Sequence, residues 1–460
     1  MTQNHYDVII IGGGVSGSAL FYELGRYTDI KNICLLEKYG SLASLNSNGS
    51  ANSQTIHCGD IETNYTLEKA AKVKTTANMV EKYCLQHGYE DKVIFSHQKM
   101  ALGVGFEEVE YMKNRFNEFK ELYPYLELYD KEKLAQIEPA VVFDKDGNER
   151  EEEIVAVGCE GEYTTVDYKA LSDTFIDNTL KIKDKVTDIF FNNEVKHIQK
   201  IGSTYHVQTT MSQFTADFVV VDAGAHSLYL AHKMGHGLDY GCLPMAGSFY
   251  ISNRKILNGK VYMVQNPKLP FAALHGDPDI LVNGFTRFGP TALMLPKLER
   301  FKPGTYLDFF KTLRLDFNVI KIFIDLLKDS DIRNYVFRNF LFEVPYINKK
   351  LFLQDARKIV PSLCEDDITY AKGFGGVRPQ ILDKKNQKLM LGEASIDTGE
   401  GIIFNMTPSP GATSCLGNAV RDVKVICEYL GFKFNEKCFN EELIKDKTKA
   451  KKELKQEALV

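Results

Sequence analysis

The segment 7–37 constrains the fold more than any other part of the chain. Residues 8–11 are an apolar run that predicts a buried strand, and the glycine-rich turn 12–17 follows directly. An amphipathic stretch then predicts a helix, and a second apolar strand ends at Glu37. A strand, a glycine turn, a helix and a strand that ends in a carboxylate form the pattern that binds a dinucleotide.

Each part of this pattern has a mechanical role in binding. Gly12 permits the tight turn, Gly14 lets the backbone approach a pyrophosphate, and Gly17 lets the helix pack closely on the sheet. The free N–H groups at the helix start would face the phosphates, and Glu37 would accept hydrogen bonds from the ribose hydroxyls. The residues predicted to bind the adenosine end are Gly12, Gly14, Val15, Ser16, Gly17, Glu37 and Lys38.

Composition and charge exclude several classes of protein. The 460 residues are 44% hydrophobic and 25% charged, as in an ordinary globular protein with more than one lobe. A net charge of −5 and the lack of a dense basic block argue against nucleic acid as a partner. No apolar run approaches the ~20 residues of a membrane-spanning helix. The scattered cysteines predict reduced thiols, no metal site and a cytoplasmic protein, either soluble or attached to a membrane surface.

Parallel strands return late in the chain, which predicts interleaved domains. Residues 217–222 predict a strand buried on both faces, and the small residues Ala223 and Gly224 after it would let that turn approach a ligand. Residues 241–296 predict short strands of a mixed or antiparallel sheet, and the glycine-rich segment 373–380 predicts a turn. We expect an α/β protein with a dinucleotide domain at 1–90, 160–235 and 370–432, a substrate domain at 91–159 and 236–369, and a C-terminal tail at 433–460.

Two other stretches allow more than one interpretation. The Ser- and Asn-rich segment 41–53 is either a solvated loop or a loop that lines the ribityl-pyrophosphate part of a cofactor. The helical segment 300–342 carries apolar residues on one face with cations among them. Such helices can lie on a lipid surface or, more commonly, pack as core.

Four motifs together carry a family resemblance: residues 12–17 with Glu37, residues 52–57 with 62–66, residues 375–380, and residues 409–414. In this combination the chain resembles the malate:quinone oxidoreductases, most closely their shorter bacterial form. The resemblance runs nearly end to end, including segments 241–244, 271–275 and 289–292. It implies an FAD-binding Rossmann-like domain of the glutathione-reductase or D-amino-acid-oxidase type, interleaved with the mixed-sheet substrate domain.

The resemblance also implies a function and a place in the cell. The enzyme would oxidise (S)-malate to oxaloacetate within the tricarboxylic acid cycle and pass the electrons to a membrane quinone. It would be attached peripherally to the inner face of the cytoplasmic membrane. FAD would lie extended, with its isoalloxazine between the Ser/Asn loop and the turn at 409–411, which opens a helix. The residues expected near the flavin end are Asn52, Ser53, Gln54, Thr55, Ala223, Gly224, Pro410, Gly411, Ala412 and Thr413.

Malate oxidation requires a base for the hydroxyl proton, and histidine is the natural choice near neutral pH. His57 directly follows the cofactor loop, at a position that related 2-hydroxyacid-oxidising flavoenzymes also fill with histidine. His275 is the second candidate, although either histidine could instead be structural. Glu62 is expected to orient His57, and His226 to be a packing residue beside the flavin domain.

The two carboxylates of malate require donors that hold them. Arg378 is the best candidate because a guanidinium offers two parallel donors to a carboxylate. Gln380 could donate to the second carboxylate or to the flavin, and Arg287 is a further candidate. Two alternatives stay open: an FAD enzyme for another 2-hydroxyacid such as L-2-hydroxyglutarate, and a flavin-fold protein without turnover. The motif at 62–65 favours malate, and the presence of both a base and a carboxylate ligand argues against a protein without turnover.

Overall fold

The computed structural model describes residues 4–265, 273–282, 284–390, 393–407 and 411–445. Its strands, numbered along the chain, are β1 His5–Ile11, β2 Asn32–Leu36, β3 Ile94–Ser96, β4 Lys99–Val104, β5 Glu127–Tyr129, β6 Ile154–Cys159, β7 Tyr163–Val166, β8 Val186–Phe190, β9 Val195–Ile201, β10 Thr204–Thr209, β11 Gln213–Val221, β12 Tyr240–Ala246, β13 Tyr250–Ser252, β14 Lys260–Met263, β15 His275–Pro278, β16 Thr286–Gly289, β17 Leu293–Met294, β18 Thr369–Tyr370, β19 Val377–Asp383, β20 Lys388–Met390, β21 Ala394–Asp397 and β22 Ile402–Met406. Its helices are α1 Val15–Tyr27, α2 Leu67–His87, α3 Phe106–Phe119, α4 Lys131–Ile137, α5 Tyr168–Leu180, α6 Ala225–Lys233, α7 Tyr306–Leu313, α8 Phe317–Lys328, α9 Ser330–Leu341, α10 Asn348–Ala356, α11 Cys415–Leu430 and α12 Glu436–Phe439.

The first sheet has the order β21-β22-β11-β1-β2-β8, and the β9–β10 hairpin extends it from β11. β1, β2, β8, β11 and β22 are parallel to one another, whereas β21 is antiparallel to β22 and β10 is antiparallel to β11. The predicted buried strand at 217–222 is confirmed as the end of β11, where Val220 pairs with Ile10 of β1. Helices α1, α5 and α11 share one hydrophobic core with this sheet. The α/β prediction with a Rossmann-like sheet is therefore confirmed.

Two larger sheets and the two-stranded pair β3-β7 complete the described fold. An antiparallel sheet has the order β17-β12-β19-β20, and a mixed sheet has the order β18-β13-β16-β15-β14-β4-β6-β5. The mixed sheet predicted for residues 241–296 is confirmed, and β14 is parallel to β4. The expected glycine turn at 373–380 is wrong beyond residue 376. β19 begins at Val377 because that residue and the six after it pair with the whole of β12. The chain rejoins the first sheet only at β21.

Helices α7 and α8 have two apolar faces with different surroundings. The inner face is core, since Phe309, Leu313, Val319 and Ile322 pack in a cluster with residues of β12 and β19. The outer face continues onto α9 and leaves large apolar side chains in solvent: Leu307, Phe310, Leu315, Phe317, Ile320, Ile324, Leu327, Phe337 and Phe340. We refer to these nine residues as the apolar outer face. None of the helices in the described ranges is both long and apolar enough to cross a membrane.

The tail from residue 436 onward, which the alternation of lysines and acids predicts to be a solvated helix or a frayed end, is helical over residues 436–444 but only partly solvated. These residues form α12 and a π-helical turn, and Phe439 and Leu443 are buried in the core of the first domain. The ring of Phe439 packs edge-on against Tyr27 at a centroid distance of 5.4 Å. These two buried apolar residues are not evident from the alternation of lysines and acids in this stretch. Residues 446–460 lie outside the described ranges.

Candidate active site

A cavity of about 380 Å³ extends from the glycine turn after β1 to His57. The predicted cofactor residues that line it are Gly12, Gly14, Val15, Ser16, Glu37, Lys38, Asn52, Ser53, Thr55, Ala223, Gly224, Gly411 and Ala412. The Ser/Asn loop at 41–53 contributes to the cavity wall. Of its two interpretations, a loop that lines the cofactor agrees better with the structure than a solvated loop. Pro410, and residues 271 and 272 of one quoted motif, lie outside the described residues.

The glycine turn has the geometry that the sequence predicts. Gly12 has a φ of +119°, and a Cβ on it would lie 2.4 Å from the carbonyl oxygen of Asp222. A Cβ on Gly17 would lie 2.0 Å from the carbonyl oxygen of Gly12, so helix α1 packs against the turn only because Gly17 has none. Gly17 therefore acts behind the cavity wall rather than in it.

The start of α1 and the end of β2 fit FAD. The N-cap Gly14 supplies no side chain to the first turn of α1, and that turn holds no acidic residue. Its amide groups and its dipole therefore suit the pyrophosphate of a dinucleotide. Glu37 accepts N–H groups from Gly13 at 2.7 Å and Tyr39 at 2.8 Å. Burial raises the pKa of Glu37, and these two amides oppose that rise.

Gln54 and Thr413 support the cavity from behind. Gln54 is fully buried, and its side-chain oxygen accepts the N–H group of Ile280 at 3.2 Å. The Thr413 hydroxyl oxygen accepts the backbone N–H group of His57 at 3.2 Å and lies 2.7 Å from the Tyr168 hydroxyl. Both residues thus fix the backbone on which the site is built.

A second cavity of about 490 Å³ meets the first one at His57, Arg378 and Gly411, which line both. Gln380 lies two residues after Arg378 on β19, on the same face of the strand, and also lines the second cavity. The structure therefore brings one predicted base and two predicted carboxylate ligands to the junction of two cavities.

His57 is held by a carboxylate. Its Nδ1 lies 2.5 Å from Oε1 of Glu62, as the sequence predicts for an orienting residue. Burial raises the pKa of Glu62, but the hydrogen bond and charge of His57 outweigh that effect and leave it below its ordinary value. An ionised Glu62 accepts the proton on Nδ1, which leaves Nε2 as the acceptor of the ring. Nε2 lies 3.4 Å from the Ser53 hydroxyl, on the cofactor side.

Arg378 is a cation without an anion. Among the described residues, no carboxylate lies within ion-pair distance of its guanidinium, and the side chains that act on its charge are Tyr335 of α9 and Tyr262 of β14. Burial lowers the pKa of Arg378. A guanidinium removed from water gains most from a ligand that supplies the missing carboxylate.

Two predicted catalytic residues line neither cavity. His275 is 2% exposed, with Nδ1 2.5 Å from Oδ2 of Asp277, and burial lowers the pKa of His275. Arg287 is fully buried, donates to the carbonyl oxygen of Gly49 at 2.7 Å and lies 3.3 Å from Asp279. Both side chains are buried beside a carboxylate and line neither cavity, so catalytic roles for His275 and Arg287 have no support from this geometry.

Several residues that the sequence analysis missed also line the cavities. His226, expected to be a packing residue, lines the first cavity 3.6 Å from Glu299, and burial lowers its pKa to about 3. Tyr262, Lys69, Lys72 and Arg421 line the second cavity. Lys69 and Lys72 stand one helical turn apart just after the motif at 62–66, and that spacing is a signal that could have identified them.

The molecule combines a parallel sheet that carries a glycine turn, a mixed sheet, and a cavity that opens into a second cavity. This is the fold of FAD-dependent oxidoreductases. A solved structure with this fold is the dithionite-reduced L-α-glycerophosphate oxidase from Mycoplasma pneumoniae with FAD bound. The two structures have a TM-score of 0.62 and 21% sequence identity, over 94% of this chain and 96% of that chain.

The sequence comparisons are more specific. Residues 4–456 match the family model for malate:quinone oxidoreductase (Mqo). The chain is 59% identical over 449 residues to the probable malate:quinone oxidoreductase of Campylobacter jejuni, covering 96% of this chain and 100% of that protein. It is 50% identical over 441 residues to the malate:quinone oxidoreductase of Helicobacter pylori, covering 95% and 98%. The chain belongs to the malate:quinone oxidoreductase family.

Proposed function

We propose that this protein is an FAD-dependent enzyme that oxidises (S)-malate to oxaloacetate and passes the electrons to a membrane quinone. The observation that carries the proposal is the junction of the two cavities, where the base His57 and the unpaired cation Arg378 lie together. The family membership and the 59% identity to a relative of that name support malate as the substrate.

The residues of the first cavity would hold FAD, which when bound would supply the redox chemistry as the acceptor of the hydride from C2 of malate. The turn after β1, the start of α1 and Glu37 would hold its adenosine and pyrophosphate parts. Gly411 and Ala412, at the opposite end of the cavity, would hold the flavin part. The protein's own task is to bind malate, to orient it and to move one proton.

His57 takes the proton from the malate hydroxyl at Nε2. Glu62 is the positioning residue, since it fixes the ring and stabilises the positive charge that His57 gains. Arg378 binds the C1 carboxylate through two parallel donors, and Gln380 adds a neutral donor from the same strand face. Each role uses a residue that lines the second cavity, and the buried His275 pair stays outside the chemistry.

The test is anaerobic mixing of the purified yellow protein with (S)-malate. We expect loss of flavin absorbance at about 450 nm within the time of a turnover. A panel of other 2-hydroxyacids defines the substrate class. Bleaching by L-2-hydroxyglutarate without bleaching by malate would replace the proposed substrate with that alternative.

The apolar outer face supports a membrane surface as the place where the quinone is reached. Leu307 is 71% exposed, Phe317 78% and Phe337 62%, and a group of large exposed apolar side chains supports an interaction surface. Lys311 and Lys328 are exposed beside it, with 63% and 70% of their side chains accessible. Apolar insertion with flanking cations matches an anionic lipid surface. We therefore propose peripheral attachment to the inner face of the cytoplasmic membrane, and a role in the tricarboxylic acid cycle.

Vesicle cosedimentation tests this attachment. Phe310→Glu combined with Phe317→Glu is expected to release the protein from vesicles that contain anionic lipid, without a change in malate-driven flavin bleaching. Phe106→Glu is the matched control, because Phe106 is 73% exposed on α3, outside the apolar outer face. Equal binding by both variants and the unmodified protein would contradict the proposed surface.

A further inference from the structure

The second cavity carries more positive charge than its own carboxylates neutralise. Four cations line it, namely Lys69, Lys72, Arg378 and Arg421, against the two carboxylates Glu62 and Glu393. Glu62 is occupied by His57. The remaining question is which cations are free to bind a second anion besides the one that Arg378 takes.

Arg421 is excluded because its charge is already balanced. Its Nε lies 2.9 Å from Oδ1 of Asp422, and its Nη1 lies 3.6 Å from Oε2 of Glu393. Its other terminal nitrogen donates to the side-chain oxygen of Asn405 at 3.1 Å. The guanidinium is thus fixed by the first domain and has no donor set left for a substrate carboxylate.

Lys69 and Lys72 both make no ion pair within the described ranges, but they face different surroundings. The Lys69 ammonium lies 3.9 Å from the centroid of the Tyr65 ring, and desolvation lowers its pKa against the opposing charge of Glu62. Lys72 lies instead on the Glu393 side, where its charge and that of Arg421 oppose the effect of burial on the pKa of that carboxyl. Lys69 is therefore the free cation on the His57–Glu62 side of the cavity.

The local fold fixes Lys69 at this point. Thr66 caps α2, and its hydroxyl accepts the backbone N–H group of Lys69 at 3.3 Å, as the sequence motif before the helix requires. Lys69 therefore lies in the first turn of α2, directly after the loop that carries Glu62 and Tyr65. The cap therefore fixes the backbone of Lys69 relative to this loop.

We propose that Lys69 binds the C4 carboxylate of malate while Arg378 binds the C1 carboxylate, so that Lys69 selects dicarboxylate over monocarboxylate 2-hydroxyacids. This inference rests on the proposed function and adds the residue that determines substrate class. A substrate with one carboxylate makes no ion pair with the Lys69 ammonium, and the missing ion pair is the source of discrimination. A neutral amide such as Gln380 cannot replace the charge.

Lys69→Met tests the inference, with Lys72→Met as the matched control three residues away on the same helix. KM for malate in anaerobic flavin reduction is expected to rise about tenfold or more in Lys69→Met, as for loss of a charged hydrogen bond. KM for lactate, which has one carboxylate, should stay unchanged. Lys69→Arg should restore most of the preference for malate. Titration of the oxidised flavin spectrum with succinate, a dicarboxylate without the hydroxyl, should show the same loss of affinity without turnover.

The outcomes separate the two proposals. Malate reduction in the unmodified protein with unchanged malate and succinate affinity in Lys69→Met would overturn the Lys69 assignment alone. An equal loss for malate and lactate would also overturn it, since it would show a structural effect. Absence of flavin reduction by malate in the unmodified protein would overturn the proposed function together with the assignment that rests on it.

Discussion

Two histidine–carboxylate pairs in this molecule have the same contact distance and different access. Nδ1 of His57 lies 2.5 Å from Glu62, and Nδ1 of His275 lies 2.5 Å from Asp277. Both rings contact Tyr262, at centroid distances of 6.1 Å and 4.4 Å. His57 lines both cavities, whereas His275 lines neither and is 2% exposed. A paired histidine becomes a base only where a substrate can reach its second nitrogen.

The electrostatic surroundings of the two pairs differ as well. Asp277 is also 3.3 Å from the buried ammonium of Lys260. Burial raises the pKa of Asp277, but His275 and Lys260 outweigh that effect and hold it below its ordinary value. The inner pair thus belongs to a closed ionic cluster that stabilises the mixed sheet. The outer pair leaves Arg378 beside it unpaired, which is the arrangement that receives an anionic substrate.

The largest expected effect comes from removing the accessible base. His57→Asn should lower the rate of flavin reduction by malate by about 10² or more, because no other described group at the junction can take the hydroxyl proton. Stopped-flow absorbance at saturating malate measures this rate. A variant that retains the full rate with FAD bound would assign the proton transfer to another group.

The next effect concerns the unpaired cation. Arg378→Lys should raise KM for malate about tenfold to a hundredfold, since a lysine cannot offer two parallel donors to one carboxylate. Arg421→Lys is the control, because Arg421 lines the same cavity with its charge already balanced. Equal KM values in the two variants would remove Arg378 from substrate binding.

A smaller effect is expected at the carboxylate behind His57. Glu62→Gln should reduce kcat about tenfold, because the imidazolium formed during proton transfer loses its negative neighbour. The acid limb of the pH profile of kcat/KM should also move to lower pH. A purely structural role for Glu62 would lower the thermal midpoint and leave the pH profile in place, and that result would contradict a positioning role.

The smallest kinetic effect is expected from the closed pair, where the change is in stability. The folded-state pKa of His275 is lowered by burial, so near its ordinary pKa of about 6.5 the unfolded chain takes up a proton that the folded chain does not. The free energy of unfolding therefore falls as the pH decreases below that value. His275→Gln should remove this part of the acid sensitivity and leave flavin reduction close to that of the unmodified protein.

Thermal melting at pH 7.5 and pH 5.5 measures this difference, with the exposed His197→Gln as control. The fall in Tm between the two pH values should be smaller in His275→Gln than in the unmodified protein or the control. An identical fall in all three proteins would show that His275 does not contribute.

The sequence was sufficient wherever a function depends on local geometry. Gly12, Gly17 and Glu37 were predicted with their roles because a turn, a helix approach and a strand end are set within thirty residues. The pairing of His57 with Glu62 was also predicted from the sequence, since the two residues stand in one loop. The sequence also suggested His275 as a second base. That suggestion has no support from the structure, because residue type alone does not show whether a strand position faces a cavity or a closed cluster.

Other features could not be predicted because they arise from distant parts of the chain. The segment 373–380 was predicted to be a glycine-rich turn, and only pairing with β12 makes residues 377–383 a strand that presents Arg378 and Gln380 on one face. Arg287 looked like a free cation, and its partners Gly49 and Asp279 come from a loop and a neighbouring strand end. The sequence also could not separate the two apolar faces of α7 and α8. Only the fold shows that Phe309 is buried in the core and that Phe310 is exposed to solvent.

The central claim is that malate reacts at the junction of the two cavities, with His57 and not His275 as the base. Anaerobic rapid mixing of malate with the unmodified protein, His57→Asn and His275→Gln tests it most directly. We expect bleaching of the flavin at about 450 nm at similar rates in the unmodified protein and His275→Gln, and a rate lower by about 10² or more in His57→Asn. Rapid bleaching in His57→Asn together with slow bleaching in His275→Gln would contradict it.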